Sequence, residues 1–285
     1  MQNKKIMSFG EIVWDVFEDG ASLGGAPLNF AYYCGAFGAD VRLVSAVGRD
    51  RLGRECLSTL AKKGLDASCV QILDGVPTGR VEVSVDSAGQ PSYEICSPAA
   101  WDEVEATDEA LFFAAKSDAI AFGTLAQRGE KSRKALFSLL RAASKKCLRV
   151  LDVNLRQNYY SKDLALRSLE FANVLKLNDS ELPVLSEMFG IGGSEEDCAR
   201  RIFEMFSLSY LILTRGERGY MVISDSAEVS ADAVPAEVKD TVGAGDSFTA
   251  TFVCRILEGA APEDAAEDAA KMAAFVCSNR GALCL

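Results

Sequence analysis

Histidine is absent from the 285 residues. Its absence excludes a Ser-His-Asp triad, a Cys-His dyad, His-ligated zinc and a histidine pH switch, so acid–base work falls to Asp, Glu, Lys, Tyr or Cys. Proline is scarce, at 7 against 23 glycines, and no run of about 18 uninterrupted apolar residues exists to span a bilayer. The nine cysteines contain no C-x-x-C pair and are odd in number, which reads as small buried residues in a reducing compartment rather than a disulfide or metal framework. Basic residues are in deficit: 30 against 41 acidic ones leave a formal charge of −11, which argues against nucleic acid or an anionic membrane as partner. Any bound phosphate must therefore be held by local geometry. Glu11, Asp15, Glu18 and Asp19 follow Ile6 too closely for a signal-peptide core, and a cytoplasmic location is expected.

With 49% hydrophobic and 25% charged residues, the chain has the composition of a globular α/β body. Short apolar runs predict strands at Lys5–Phe9, Val41–Val47, Ala119–Phe122, Arg149–Val153, Val174–Lys176 and Tyr210–Leu213. Helical periodicity predicts helices near 28–37, 53–63, 130–145, 179–189, 195–206, 245–258 and 262–277. Alternation of this kind implies a central, mainly parallel sheet with helices on both faces, built by the whole of 1–285 as one domain. One stretch departs from it. Residues 80–86 alternate with period two, placing Val81, Val83 and Val85 on one face, and after a turn at 87–90 the chain can return through Tyr93 and Ile95. This predicts a small, half-exposed antiparallel β element whose apolar face needs a cover: substrate, main body or a second subunit.

The sharpest local feature is Asp240-Thr-Val-Gly-Ala-Gly-Asp246-Ser-Phe248, a glycine turn opening an amphipathic helix. Such a turn aims backbone N–H groups and the positive helix end at one point, suiting a phosphate or developing oxyanion. Asp246 would repel a bound anion unless it accepted a proton; an N-cap after a structural turn is the alternative. A Walker loop at Gly48–Gly53 fails because Arg54-Glu55 replaces Lys-Ser/Thr. A dinucleotide fingerprint at Gly243 fails because Phe248 stands at the third glycine. A second glycine turn, Gly24-Gly25-Ala-Pro-Leu-Asn29, lets a ligand approach the backbone while Asn29 offers a donor and an acceptor; close helix packing explains it equally. Asp15 could accept from two neighbouring hydroxyls or simply be a solvated loop carboxylate.

Together these elements resemble the PfkB, or ribokinase-like, sugar kinases, over the whole chain. Gly24–Asn29 looks like the family's first signature. Asp240–Phe252 looks like its second, with Thr251 where Ala or Gly is usual. Asp152-Val-Asn-Leu-Arg156 resembles its D-x-N-x-R element, Asn178-Asp-Ser-Glu181 its N-x-x-E element, and Thr214-Arg-Gly-Glu-Arg-Gly219 its T-x-G-x-x-G element. The resemblance implies a ribokinase-like fold with a small β-sheet lid formed by about 11–24 and 78–102, and ATP-dependent phosphorylation of a hydroxymethyl group. Asp246 would be the general base, with Gly243, Ala244 and Gly245 contributing the anion hole. Asn178 and Glu181 would orient Mg2+ through water. Thr214, Gly216, Gly219 and Asn279 would meet the nucleotide, and K+ is a further candidate cofactor.

Within the family, the opening residues and Ala100-Trp101-Asp102 look most like bacterial fructokinase-like members. Asp15, Gly24, Gly25 and Asn29 would then hold sugar hydroxyls, with Tyr93 or Trp101 against the ring. A 2-keto-3-deoxygluconate kinase is the nearest rival, with Arg156 as the cation for its acid. A ribokinase or nucleoside kinase is a third, its base stacked on Trp14, Phe17, Tyr93 or Trp101. Arg80 and Arg156 are the only basic residues expected near the acceptor, too few for a phosphorylated sugar. A non-catalytic sugar- or nucleotide-binding regulator on the same fold is the reading from another class. The Val81/Val83/Val85 stripe also suggests a homodimer paired through the lids.

Overall fold

The computed structural model describes residues 4–17, 20–85 and 91–285. In chain order the elements are β1 (Lys5–Phe9), β2 (Val13–Phe17), β3 (Gly20–Gly24), α1 (Ala26–Ala36), β4 (Asp40–Gly48), α2 (Arg51–Lys62), β5 (Val70–Leu73), β6 (Arg80–Val85) and β7 (Pro91–Ile95). There follow α3 (Asp108–Ala114), β8 (Ala119–Gly123), α4 (Glu130–Ala142), β9 (Leu148–Asp152), α5 (Lys162–Phe171), β10 (Val174–Asn178), α6 (Glu181–Phe189) and α7 (Glu195–Met205). The chain closes with β11 (Tyr210–Thr214), β12 (Tyr220–Ser224), β13 (Glu228–Ala231), α8 (Ala244–Glu258) and α9 (Pro262–Cys277).

Nine strands form the main sheet in the order β13-β12-β11-β10-β9-β8-β1-β4-β5, parallel except where β12 and β13 join antiparallel at one edge. Its central strands are apolar on both faces because helices cover both. Leu211 and Leu213 enter the core beneath α4, α6 and α7, whereas Ile212 between them enters the core beneath α1, α8 and α9. The predicted strands and helices are all present with ends shifted by a few residues. Local caps account for several boundaries: Asp50 accepts from Gly53 N at 2.7 Å to start α2, and Ser194 and Asp197 form a reciprocal capping box at α7. Seven elements carried too little periodicity to be anticipated as strands or helices: β2, β3, β5, β12 and β13, with α3 and α5. The edge strand β13, for example, buries no side chain fully.

The small β element is larger than expected. It is a four-stranded sheet ordered β3-β2-β6-β7, in which β6 pairs antiparallel with β7 but parallel with β2. The purely antiparallel expectation is thus corrected: β6 is an interior strand between β7 and β2, and β2 follows β1 directly in the chain. Val81 and Ile95 are covered by the main body, whereas Tyr93 stays 57% exposed. The side chains of Phe17, Val83 and Val85 and the turn at 87–90 lie outside the described residues, so the apolar stripe is seen only at its base.

Trp101 does not face a ligand. Its side chain is fully buried, and Trp14 is buried with its Nε1 donating to Leu52 O at 3.2 Å. Both tryptophans brace the small sheet instead of offering a ring to a sugar or a base. Arg128 completes this joint: its guanidinium lies 4.0 Å from the Trp101 ring and 4.6 Å from Tyr159, bonds Asp102 through two nitrogens at 2.8 and 2.9 Å, and reaches Cys96 O at 2.9 Å. Removing one partner of a buried, bidentate pair strands the other charge. Arg128→Ala is accordingly expected to cost about 3–5 kcal/mol, read from the denaturant midpoint, with Arg128→Lys recovering only part because it cannot make the planar fork.

Candidate active site

The carboxyl ends of β1, β9, β10 and β11 open on one side of the sheet, and α1 and α8 begin there. Strand order reverses at β1, which is where ligands collect in open α/β sheets. Gly25 precedes α1 at φ 117°, and a Cβ there would lie 2.5 Å from Glu11 O; only glycine lets the turn close against the end of β1. Gly243, in the left-handed region at φ 82°, starts α8. Asp240 shapes the preceding loop, accepting from Val242 N at 3.0 Å and from Gly281 N at 2.9 Å. The first-turn amides of α8, which have no partner within a helix, thus point out of its positive end.

Asp246 stands in that turn, partly exposed at the rim of the site. Its Oδ2 accepts from Asn29 Nδ2 at 2.7 Å, so the two glycine turns meet side chain to side chain. Asn29 Oδ1 is buried without a partner, an acceptor still open for a hydroxyl. Lys176 was missed: read only as the end of a strand, it is buried with its Nζ 3.1 Å from Asp152 Oδ2. A Cβ at Gly245 would lie 3.1 Å from that Nζ, which places the ammonium against the first turn of α8. The signal was present, since a lone lysine in an apolar parallel strand is a buried charge in need of a task. Asp152 and Glu11 were also passed over as site residues.

Electrostatics separate these carboxyls. Desolvation, then the charge of Asp152, pushes Asp246 up to about 6, against the lowering pull of the Asn29 hydrogen bond, Lys176 and Arg156. Desolvation likewise raises Glu11 to about 7 and raises Asp15, each partly relieved by Arg156. Arg156 is exposed, and this one cation bears on Glu11, Asp15 and Asp246. Asp15 also approaches the first signature, its Oδ2 lying 3.7 Å from where a Cβ on Gly24 would be.

Asn178, Glu181, Thr214, Gly216 and Gly219 lie at the ends of β10 and β11 or in the turns that follow them, whereas Asn279 and Tyr93 lie elsewhere. Asn178 caps α6, its Oδ1 accepting from Ser180 N, Ser180 Oγ and Glu181 N, while Glu181 accepts from Leu155 N at 3.0 Å and Asn178 N at 2.9 Å. The N-x-x-E and D-x-N-x-R elements are thereby clasped together, and burial raises Glu181. Thr214 ends β11 opposite Asn178, and Gly216 and Gly219 make the following turn. Asn279 donates to Phe275 O at 2.8 Å beyond α9, near the Asp240 loop. Tyr93 lies out on the small sheet, its carbonyl accepting from Gln157 Nε2 at 2.9 Å.

The pfkB family carbohydrate kinase model matches residues 2–284. The chain belongs to that family. It is 28% identical to the fructokinase of Salmonella typhimurium, over 92% of this chain and 87% of that protein. To the 2-dehydro-3-deoxygluconokinase of Dickeya dadantii it is 29% identical, over 99% of this chain and 97% of that protein. The fold is ribokinase-like: the structure of Xylella fastidiosa fructokinase with bound ATP superposes with a TM-score of 0.85 at 18% identity, covering 98% of this chain and 94% of that one. As a family member the protein is a phosphotransferase acting on a sugar hydroxyl.

The raised Asp246 pKa has a stability cost with a definite sign. Between the unfolded value near 4 and about 6 the folded state holds a proton that the unfolded state has released, so stability falls across this window and then levels. Asp246→Asn is expected to stabilise the fold by about 1–3 kcal/mol at pH 8, after allowance for the solvent-facing side of the group. The gain should shrink towards zero by pH 4, as followed by urea unfolding at several pH values.

Proposed function

We propose that the protein is an ATP-dependent fructokinase, transferring the γ-phosphoryl of ATP to a hydroxymethyl group of fructose. One observation carries the reading: Asp246, hydrogen-bonded to Asn29, stands at the amino end of α8 beside Lys176. A carboxylate beside an anion site is costly unless it takes a proton. Here the acceptor hydroxyl attacks the γ-phosphorus as Asp246 removes its proton; the new O–P bond forms, the bond to the bridging oxygen breaks, and ADP leaves. The amides of Gly243, Ala244, Gly245 and Asp246, with Lys176, stabilise the charge on the transferring group.

Asp15, Asn29 and the Gly24–Gly25 backbone hold the sugar, with the unpartnered Asn29 Oδ1 accepting a hydrogen bond from a hydroxyl. The four-stranded sheet, from about 11–24 and 78–102, acts as the lid that excludes water and brings Tyr93 to the sugar. Thr214, Gly216, Gly219 and Asn279 line the nucleotide end. Asn178 and Glu181 already spend their oxygens on backbone amides, and among the described residues no group of three His, Cys, Asp or Glu could hold a metal ion directly. That donor set fits a hydrated Mg2+ gripped through its waters, which neutralises phosphate charge when bound. K+ would be an additional activator. All nine cysteines are free thiols, in keeping with the cytoplasm as the compartment.

A 2-keto-3-deoxygluconate acceptor is the second reading, favoured by the exposed Arg156 beside Asp15 and by the Dickeya relative. Burial of Trp14 and Trp101 removes two of the four rings that would have received a nucleoside base.

ADP release from Mg·ATP should be fastest with fructose among fructose, ribose, 2-keto-3-deoxygluconate, adenosine and fructose 6-phosphate. Preference for the keto acid would transfer the argument to Arg156. Binding of ATP without turnover on any acceptor would favour a regulator. Asp246→Asn is expected to lower turnover by about 10²- to 10⁴-fold with nucleotide affinity nearly unchanged in calorimetry; full turnover would remove Asp246 from the mechanism.

A further inference from the structure

Glu11 follows β1 and is only 3% exposed, yet its Oε2 has no hydrogen-bond partner. It borders a cavity of about 20 Å³ between β1, β8 and β9 on one side and the starts of α1 and α8 on the other. Asp152, Asn154 and Asp246 face the same space. So do Ser8 and Thr249, but their hydroxyls are committed, Ser8 Oγ donating to Pro27 O at 2.7 Å and Thr249 Oγ1 to Gly245 O at 2.9 Å. The volume suits one water, and several polar groups surround it.

We propose that Glu11 is a positioning residue for Asp246: as the neutral acid it donates a hydrogen bond across this cavity, through one water, and holds Asp246 in its basic form. The inference rests on the reading of Asp246 as the general base. The charged groups that bear on Glu11 are Arg156, which favours its ionisation, and Asp246 and Asp152, which oppose it; Lys176 is spent on Asp152. Desolvation prevails and raises Glu11 to about 7, so a carboxyl buried with no partner at Oε2 keeps its proton more readily than an ordinary glutamate. Glu11 and Asp246 titrate as a pair. A purely structural carboxyl in this place would need a partner for Oε2, and among the described residues none lies within hydrogen-bond distance of it.

The test is a pH titration of the Asp246 side-chain carboxyl by ¹³C NMR in the protein without substrate, the signal being assigned by its loss in Asp246→Asn. In the wild type the signal should move at its own midpoint and again as Glu11 ionises. Glu11→Gln keeps a donor and removes the ionisation, so the second step should vanish while the first stays in place. Glu11→Ala removes the donor, and the first midpoint should rise by about half a unit to one unit. Titration curves in Glu11→Gln that superimpose on the wild type would overturn the proposal, and this variant decides even if Glu11→Ala does not fold. Full turnover by Asp246→Asn would instead defeat the base assignment, leaving the coupling between the two carboxyls to be judged by the titration alone.

Discussion

The hydrogen bond from Asn29 to Asp246 joins residues 217 apart in the chain and brings two glycine turns to a single point. Each turn by itself is a helix start with exposed amides. Together they define where an anion and an uncharged hydroxyl can meet, because one turn contributes the positive end of α8 and the other the backbone approach beside Asp15. The rest of the molecule serves to keep them there. The buried layer on one face of the nine-stranded sheet packs α1 against β1, β4 and β8 and α8 against α1, a second layer covers the other face, and the tryptophan and arginine joint ties the four-stranded sheet to the main body.

The site is built against its own stability. Glu11, Asp152 and Asp246 crowd one end of the sheet in a protein that already carries a net charge of −11. Lys176 and Arg156 offset part of this, the first buried and paired with Asp152, the second exposed. Desolvation outweighs both for Glu11 and Asp246, which is why their proton affinities rise instead of falling. A carboxyl raised into this range lies nearer neutral pH than an ordinary aspartate, so the burial that weakens the fold is also what the proposed base would need.

The division of labour also explains the glycine and asparagine pattern near the nucleotide end. Asn178 and Glu181 use their oxygens to fasten the α6 start to the loop after β9, which leaves outer contacts, through water, as the mode open to a metal. Family membership and the ribokinase-like fold are common to fructose and keto-acid kinases alike. The architecture therefore does not separate these acceptors, and under the proposed function the choice would fall to residues around Asp15, Asn29 and Arg156.

The sequence by itself determined the α/β class, most of the parallel strands and the two glycine turns, because these depend on local periodicity, on caps and on glycine's freedom at turns. The absence of histidine likewise left carboxylates as the natural candidates for the base. Only the tertiary structure decided that Trp101 and Trp14 are core, that β6 lies between β2 and β7, and that Lys176 and Glu11 belong to the site. Those facts depend on burial and on contacts between distant segments. A residue's neighbours along the chain do not reveal which charge will be desolvated beside it, and desolvation is what gives Asp246 and Glu11 their character.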